Sequence, residues 1–284
     1  MTPKIPIAAI TDEFSPDLET ALKAMQDIGM SAVELRVISG KNIMDLSDEE
    51  LDQVADAVRG FRVISIASPL FKCLLPDSPP VDSRFQHDVF AAKHAFEDQP
   101  RLAERAFFIA KKLGAKIIRV FSFWRVVQPE ACFERVVREL GQLSEKAARE
   151  GLTIGLENEH ACNIATGAET RRVLDCLKHS NLGVVWDPAN AYVSGENPFP
   201  LGYGLLPPDR IVHVHAKDCH MEGHTPVWGP LGTRAIDWKG QIAALLKDGY
   251  GGYLSLETHW AGPEGNKLEG SKICGWNLRG LASG

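Results

Sequence analysis

The sequence predicts a single α/β domain, a (β/α)8 barrel running through all 284 residues. Apolar, β-branched runs of strand length alternate with helical patterns from one end of the chain to the other, the signature of βα units around a parallel sheet. There are eight such runs, and no GxGxxG follows the first, which argues against a doubly wound dinucleotide fold. Length by itself allows one domain or two, because α/β barrels of roughly 250 residues form one. The count of eight decides for one.

The expected strands span residues 5–10, 32–35, 62–67, 116–121, 153–156, 182–186, 211–216 and 252–256. Between them lie recognisable helix starts and stops. Ser15-Pro16-Asp17 places a hydroxyl at an N-cap, proline at the first helical position and an acid in the positive first turn. Ser47 with Glu50 forms a capping box, and Leu51, Val54, Ala55 and Val58 then recur at helical spacing. Thr166 with Glu169 is a second box. Gly114 and Gly249 each end a helical segment just before a strand, where a left-handed residue is wanted. The one long irregular stretch, residues 69–100 after the third strand, reads as a lid over the site, because loops of that length in compact domains are usually functional.

Hydrophobic residues at 44% and charged residues at 24% exclude disorder for most of the chain. A formal net charge of −6 gives no general attraction to nucleic acid or anionic lipid, so neither is expected as a partner. MTPKIPIAAITDEF lacks the features of a secretory signal, and no run approaches the ~18 apolar residues of a membrane span, so a cytoplasmic protein is expected. Six scattered cysteines without a CxxC pair indicate reduced thiols rather than a disulfide framework or thiolate zinc site.

In a barrel the active site lies at the C-terminal strand ends, so the residues closing each apolar run matter most. The fifth strand leads into Glu157-Asn158-Glu159-His160 and the sixth into Asp187. The seventh reads Val-His213-Val-His215-Ala-Lys217-Asp218, and the eighth leads into Glu257-Thr258-His259. Strands covered on both faces should be almost wholly apolar, and each unsatisfied polar group there costs several kcal/mol. Three converging carboxylates also repel one another. A divalent cation held by Glu157, Asp187, His215 and Glu257 resolves both problems. Oxygen-rich ligation with one imidazole suits Mn²⁺ or Mg²⁺ best, with Co²⁺ or Zn²⁺ also compatible, and leaves positions for a substrate with adjacent oxygens. Alternation places His213, His215 and Lys217 inward at increasing height, with His215 level with the acids, His213 deeper as a satisfied core histidine or a supporting donor, and Lys217 above as a substrate contact. Glu159 competes as a ligand, but lies past the strand end.

The segments LENEH, VVWDPAN, IVHVHAKD and LSLET, with AITDEF at the first strand and AVELR at the second, resemble the xylose isomerase-like TIM barrels. That superfamily includes sugar (phosphate) isomerases and epimerases, inosose dehydratases, hydroxypyruvate isomerases and endonuclease IV. The resemblance covers nearly the whole chain. It implies one divalent cation bound by the same four residues, with Glu157 and Glu257 also moving the proton of an α-hydroxy ketone through a cis-enediolate. The expected activity is therefore a metal-dependent isomerase or epimerase acting on a small ketose, keto-polyol or hydroxy-keto acid. The alternative is a dehydratase of the inosose or 3-dehydroshikimate type. A nuclease or a non-catalytic sugar-binding barrel ranks lower, and a homo-oligomer is implied. Asn190 departs from the pattern: it stands three residues after Asp187, where endonuclease IV and several ketose epimerases carry histidine. This leaves the histidine-rich trinuclear site incomplete.

Five residues are expected around the substrate: His160 and Lys217 as polar contacts, Trp124 with Phe121 as an apolar wall, and Arg36. Arg36 shares parity with Glu34, so it either forms an interior ion pair or reads a substrate carboxylate or phosphate. No glycine-rich phosphate cradle follows the last two strands, which favours a non-phosphorylated sugar or polyol.

Overall fold

The computed structural model describes residues 4–85 and 93–284. Its eight barrel strands are β1 (Ile7–Ile10), β2 (Ala32–Leu35), β3 (Arg62–Ile66), β4 (Ile117–Val120), β5 (Thr153–Glu157), β6 (Leu182–Trp186), β7 (Ile211–Ala216) and β8 (Leu254–Leu256). They pair in parallel and close in the order β1-β8-β7-β6-β5-β4-β3-β2. All eight expected strands are present, each within two residues at either end. The helices that follow them are α1 (Leu18–Ile28), α2 (Asp48–Ala57), α3 (Gln99–Leu113), α4 (Phe133–Arg149), α5 (Gly167–Cys176), the short α6 (Pro188–Val193), α7 (Trp238–Lys247) and α8 (Lys267–Ser283). No described helix is long and apolar enough to cross a membrane.

Local chemistry accounts for most boundaries. Both capping boxes form, Ser47 with Glu50 and Thr166 with Glu169. Gly114 stops α3 at φ 73°, a conformation that costs a side-chain-bearing residue about 1–2 kcal/mol. The start of α1 differs from expectation. Asp17, not Ser15, is the N-cap and accepts from the Thr20 amide at 2.9 Å, while Ser15 Oγ accepts from the Asp17 amide. The carboxylate, an acceptor only, takes the helix-end donor, and the hydroxyl braces the turn before it.

Inside the barrel, space sets the residue choice. A Cβ on Gly183, in β6, would lie 2.3 Å from Val212 Cγ1 and 3.0 Å from the Arg210 carbonyl oxygen. Gly183→Ala is therefore expected to lower stability by about 1–3 kcal/mol, read as a shift in the urea midpoint. An unchanged midpoint would mean that the β6–β7 contact yields freely.

Residues 86–92, in the middle of the stretch read as a lid, lie outside the described residues. The part before them is anchored: Leu70, Phe71, Cys73 and Leu75 enter the main core, and Val81 bridges Val126. Two hairpins decorate the C-terminal rim, Val37–Ile38 with Lys41–Asn42 and Cys219–Glu222 with Thr225–Trp228. Asp218 roots the second, its carboxylate accepting from the backbone amides of Gly232, Arg234 and Ile236. All six cysteines are free.

Candidate active site

Parallel register aligns the polar strand ends. Glu157 closes β5 opposite Val185, Asp187 follows β6 directly, His215 pairs with Ser255, and Glu257 donates its amide to the Ala216 carbonyl at 3.1 Å. One ligating atom from each of Glu157, Asp187, His215 and Glu257 lies within 4.8 Å of those of the other three, and all four residues are buried. His215 Nδ1 is 3.2 Å from Glu157 Oε1 and 3.3 Å from Glu257 Oε2. Its other nitrogen, Nε2, is 3.3 Å from Glu34 Oε1, which also lies 2.7 Å from His213 Nε2.

Cations surround the acids. Lys217 Nζ lies 2.8 Å from Asp187 Oδ2 and 2.9 Å from Glu257 Oε2. Arg119 Nη1 lies 3.2 Å from Glu157 Oε2 and 3.6 Å from Glu257 Oε1. Arg36 Nη1 reaches Glu257 Oε1 at 3.1 Å. The electrostatics follow from burial against these charges. Burial pushes the Asp187 carboxyl up to about 6, with Glu157 and Glu257 adding repulsion against the pull of Lys217. Burial also opposes ionisation of Glu257, but Lys217, His215 and Arg36 outweigh it and hold this carboxyl well below the usual range. Against the same penalty, Glu34, Glu157 and Glu257 raise His215 well above the ordinary imidazole value.

The donor set fits a divalent ion: three carboxylates and one imidazole converge from four adjacent strands. Glu157 Oε2 and Asp187 Oδ2 are buried and accept no hydrogen bond of normal geometry, despite the nearby Arg119 and Lys217. Buried carboxylate oxygens left this way are costly, and a hard divalent cation is a partner that suits them.

From these strand ends the chain continues into a cavity of about 860 Å³. Glu159 and His160 line it after β5, His259 after β8, and Met221 and Trp228 from the second hairpin, with Lys72 from the segment after β3.

Over residues 22–273 the chain matches the family described as xylose isomerase-like TIM barrel. The chain belongs to this family. Among curated relatives, this xylose isomerase-like barrel is 26% identical over 152 residues to an inosose dehydratase from Bacillus licheniformis, a match covering 48% of the chain and 50% of the relative. The chain thus spans about half the length of the curated relatives it matches. Among solved structures it resembles the IOLI protein described with a bound zinc atom (TM-score 0.73, 18% identity, 98% of this chain and 97% of that one). It also resembles the 3-keto-D-glucoside 4-epimerase YcjR from E. coli (TM-score 0.69, 18% identity, 97% and 99%). A fusion of such a barrel with 4-hydroxyphenylpyruvate dioxygenase matches as well (TM-score 0.68, 21% identity), with 94% of this chain covering 41% of that one. At these identities the structural likeness shows the fold.

Within this xylose isomerase-like barrel the other expected substrate contacts are distributed unevenly. His160 lines the cavity, whereas Lys217 is buried beneath it on the acids. Trp124 is buried with Phe121, Ala161 and Cys162 in a small apolar cluster outside the cavity lining. Arg36 does not pair with Glu34. It grips Asp12 with Nε and Nη2 at 3.0 and 2.7 Å and reaches Glu13 at 2.6 Å, so the chain's own carboxylates occupy its fork. Glu34 is taken by the two histidines, because it sits on β2 facing the barrel axis, whereas Arg36 lies past the strand end beside the Thr11–Glu13 turn. The sequence reading missed Arg119 and Lys72. Arg119 carried the same signal that exposed His213, a polar side chain inside an apolar strand. Lys72 had no signal, since it belongs to an irregular segment.

Proposed function

We propose that this chain is a divalent-metal-dependent isomerase or epimerase of a small polyhydroxy ketone. The convergence of Glu157, Asp187, His215 and Glu257 at strand ends that lead into the cavity carries the reading. These four residues would hold the ion, which when bound supplies stabilisation of negative charge on neighbouring substrate oxygens. Mn²⁺ or Mg²⁺ suits the oxygen-rich set, with Zn²⁺ or Co²⁺ as competitors.

The chain's own residues do the rest. Glu257, ionised among Lys217, Arg36 and Arg119, removes the proton on the carbon beside the carbonyl, and Glu157 returns one at the adjacent carbon or the opposite face. Lys217 and Arg119 keep a positive field over both carboxylates as charge moves to substrate oxygen. Burial of the four residues excludes water from the carbanionic stage. A dehydratase is the second reading, supported by the match to inosose dehydratase. There the same proton removal is followed by loss of a neighbouring hydroxyl.

A mass-spectrometric screen of inosose, ketoses and hydroxypyruvate with Mn²⁺ tests both, since isomerisation conserves mass and dehydration removes water. No conversion of any of them would count against the proposal.

Glu34 should support the ion indirectly. With Nδ1 of His215 facing the acids, Nε2 is left to donate to Glu34, the pattern by which outer carboxylates orient ligating histidines. Glu34→Gln is expected to weaken Mn²⁺ binding about 10–100-fold by chelator competition. An unchanged affinity would remove Glu34 from the site.

A further inference from the structure

His160 stands apart from the two glutamates, yet it is tied to one of them, Glu157, through Asn190. Its Nδ1 lies 2.9 Å from Asn190 Oδ1 and 3.1 Å from Glu159 Oε1. The Asn190 amide is oriented by its far side, where Nδ2 donates to Glu157 Oε1 at 3.3 Å. Oδ1 must therefore face the imidazole. Nδ1 is thus flanked by two acceptors, and it must carry the ring proton. That tautomer places the lone pair on Nε2, which makes no hydrogen bond among the described residues.

The carboxylate in this arrangement is fixed as well. Glu159 is buried, its Oε1 accepts from the Ala161 amide at 3.3 Å, and its Oε2 lies 3.8 Å from Lys72 Nζ. The His160 side chain is 19% exposed and lines the cavity, with the Phe85 ring 5.9 Å away. A carboxylate that holds one imidazole nitrogen while the other faces open space is how proteins build a proton carrier.

We propose that His160 carries the proton that moves between substrate oxygens, a task distinct from the carbon-proton chemistry of Glu157 and Glu257. The assignment rests on the isomerase reading above and deepens it. As a glutamate takes the carbon-bound proton of an α-hydroxy ketone, the C–H pair becomes the new C=C bond and the carbonyl pair moves to oxygen. His160 Nε2 accepts the proton of the neighbouring hydroxyl and delivers it to the former carbonyl oxygen. The proton held by Glu257 then passes by way of Glu157 to the adjacent carbon, so the product is an isomer, and all three protein groups end as they began. Asn190, where histidine stands in several related epimerases, becomes the link that keeps this imidazole in register with Glu157.

His160→Gln keeps a polar side chain of similar reach but cannot carry a proton. With inosose or a ketose in D₂O and Mn²⁺, NMR reads deuterium entry at the carbon beside the carbonyl separately from net product. In His160→Gln the expected result is exchange within a few-fold of wild type, KM little changed, and product formation down about 10²-fold or more. Product formation at the wild-type rate, or exchange and product lost together, would overturn the role. If the wild-type enzyme exchanges no carbon proton in any probe, the isomerase reading fails instead. The orientation is then decided without substrate, by ¹⁵N NMR of the histidines. A neutral His160 protonated on Nδ1 and perturbed by Glu159→Gln supports the arrangement, and an Nε2–H ring overturns it.

Discussion

Glu257→Gln is expected to reduce turnover by about 10²–10⁴-fold at saturating Mn²⁺. The side chain keeps its shape but loses the charge and the basic oxygen that would take the carbon proton. It also loses the charge that Lys217, Arg36, Arg119 and His215 share, at 2.9, 3.1, 3.6 and 3.3 Å. Removing one member of a buried ion network costs about 3–5 kcal/mol, so the melting temperature must be followed beside the rate. The barrel's extensive core should keep the variant folded. Activity within tenfold of wild type in a folded variant would remove Glu257 from the chemistry.

Asp187→Asn should abolish tight divalent-ion binding while sparing the fold. Asp187 does two things in this chain: Oδ2 lies 2.8 Å from Lys217 Nζ within the acid cluster, and Oδ1 caps α6 by accepting from the Asn190 backbone amide at 2.9 Å. Alanine would remove both and confuse them. Asparagine is as good an N-cap as aspartate, so α6 should persist while the charge is lost. Changes in outer partners cost 10–100-fold in metal affinity, and loss of a direct ligand should exceed about 100-fold. Elemental analysis after dialysis is expected to find about one divalent ion per wild-type chain and far less in the variant. Equal metal content in the two would overturn the four-residue site.

The strands were legible because a parallel barrel buries both faces of each, leaving near-continuous apolar runs such as LGVVW and IVHVHA. The three acids and the histidine were legible for the converse reason, as polar residues ending or interrupting such runs. What the sequence concealed lies off the barrel. The Cys219–Trp228 hairpin has no strong apolar alternation, and both its strands are only four residues long. Arg36 was ambiguous because its partners come from distant parts of the chain, Asp12 24 residues before it and Glu257 221 residues after it. Aromatic residues were ambiguous in a third way. Trp124 looks the same in sequence whether it walls a cavity or fills a corner, and here it fills the corner with Phe121.

Asp218 gives the molecule a dividing line. Its carboxylate ties down Gly232, Arg234 and Ile236, immediately beyond the hairpin that carries Met221 and Trp228 to the cavity. The hairpin thus springs from a foundation that does not depend on its own tip. Changes at residues 220–227 would reshape the cavity wall while His215 and the Lys217–Trp228 contact stay in place. For an engineer the hairpin is an interchangeable cassette, and for a lineage it is a place where new substrate ranges can be sampled with the reaction centre left intact.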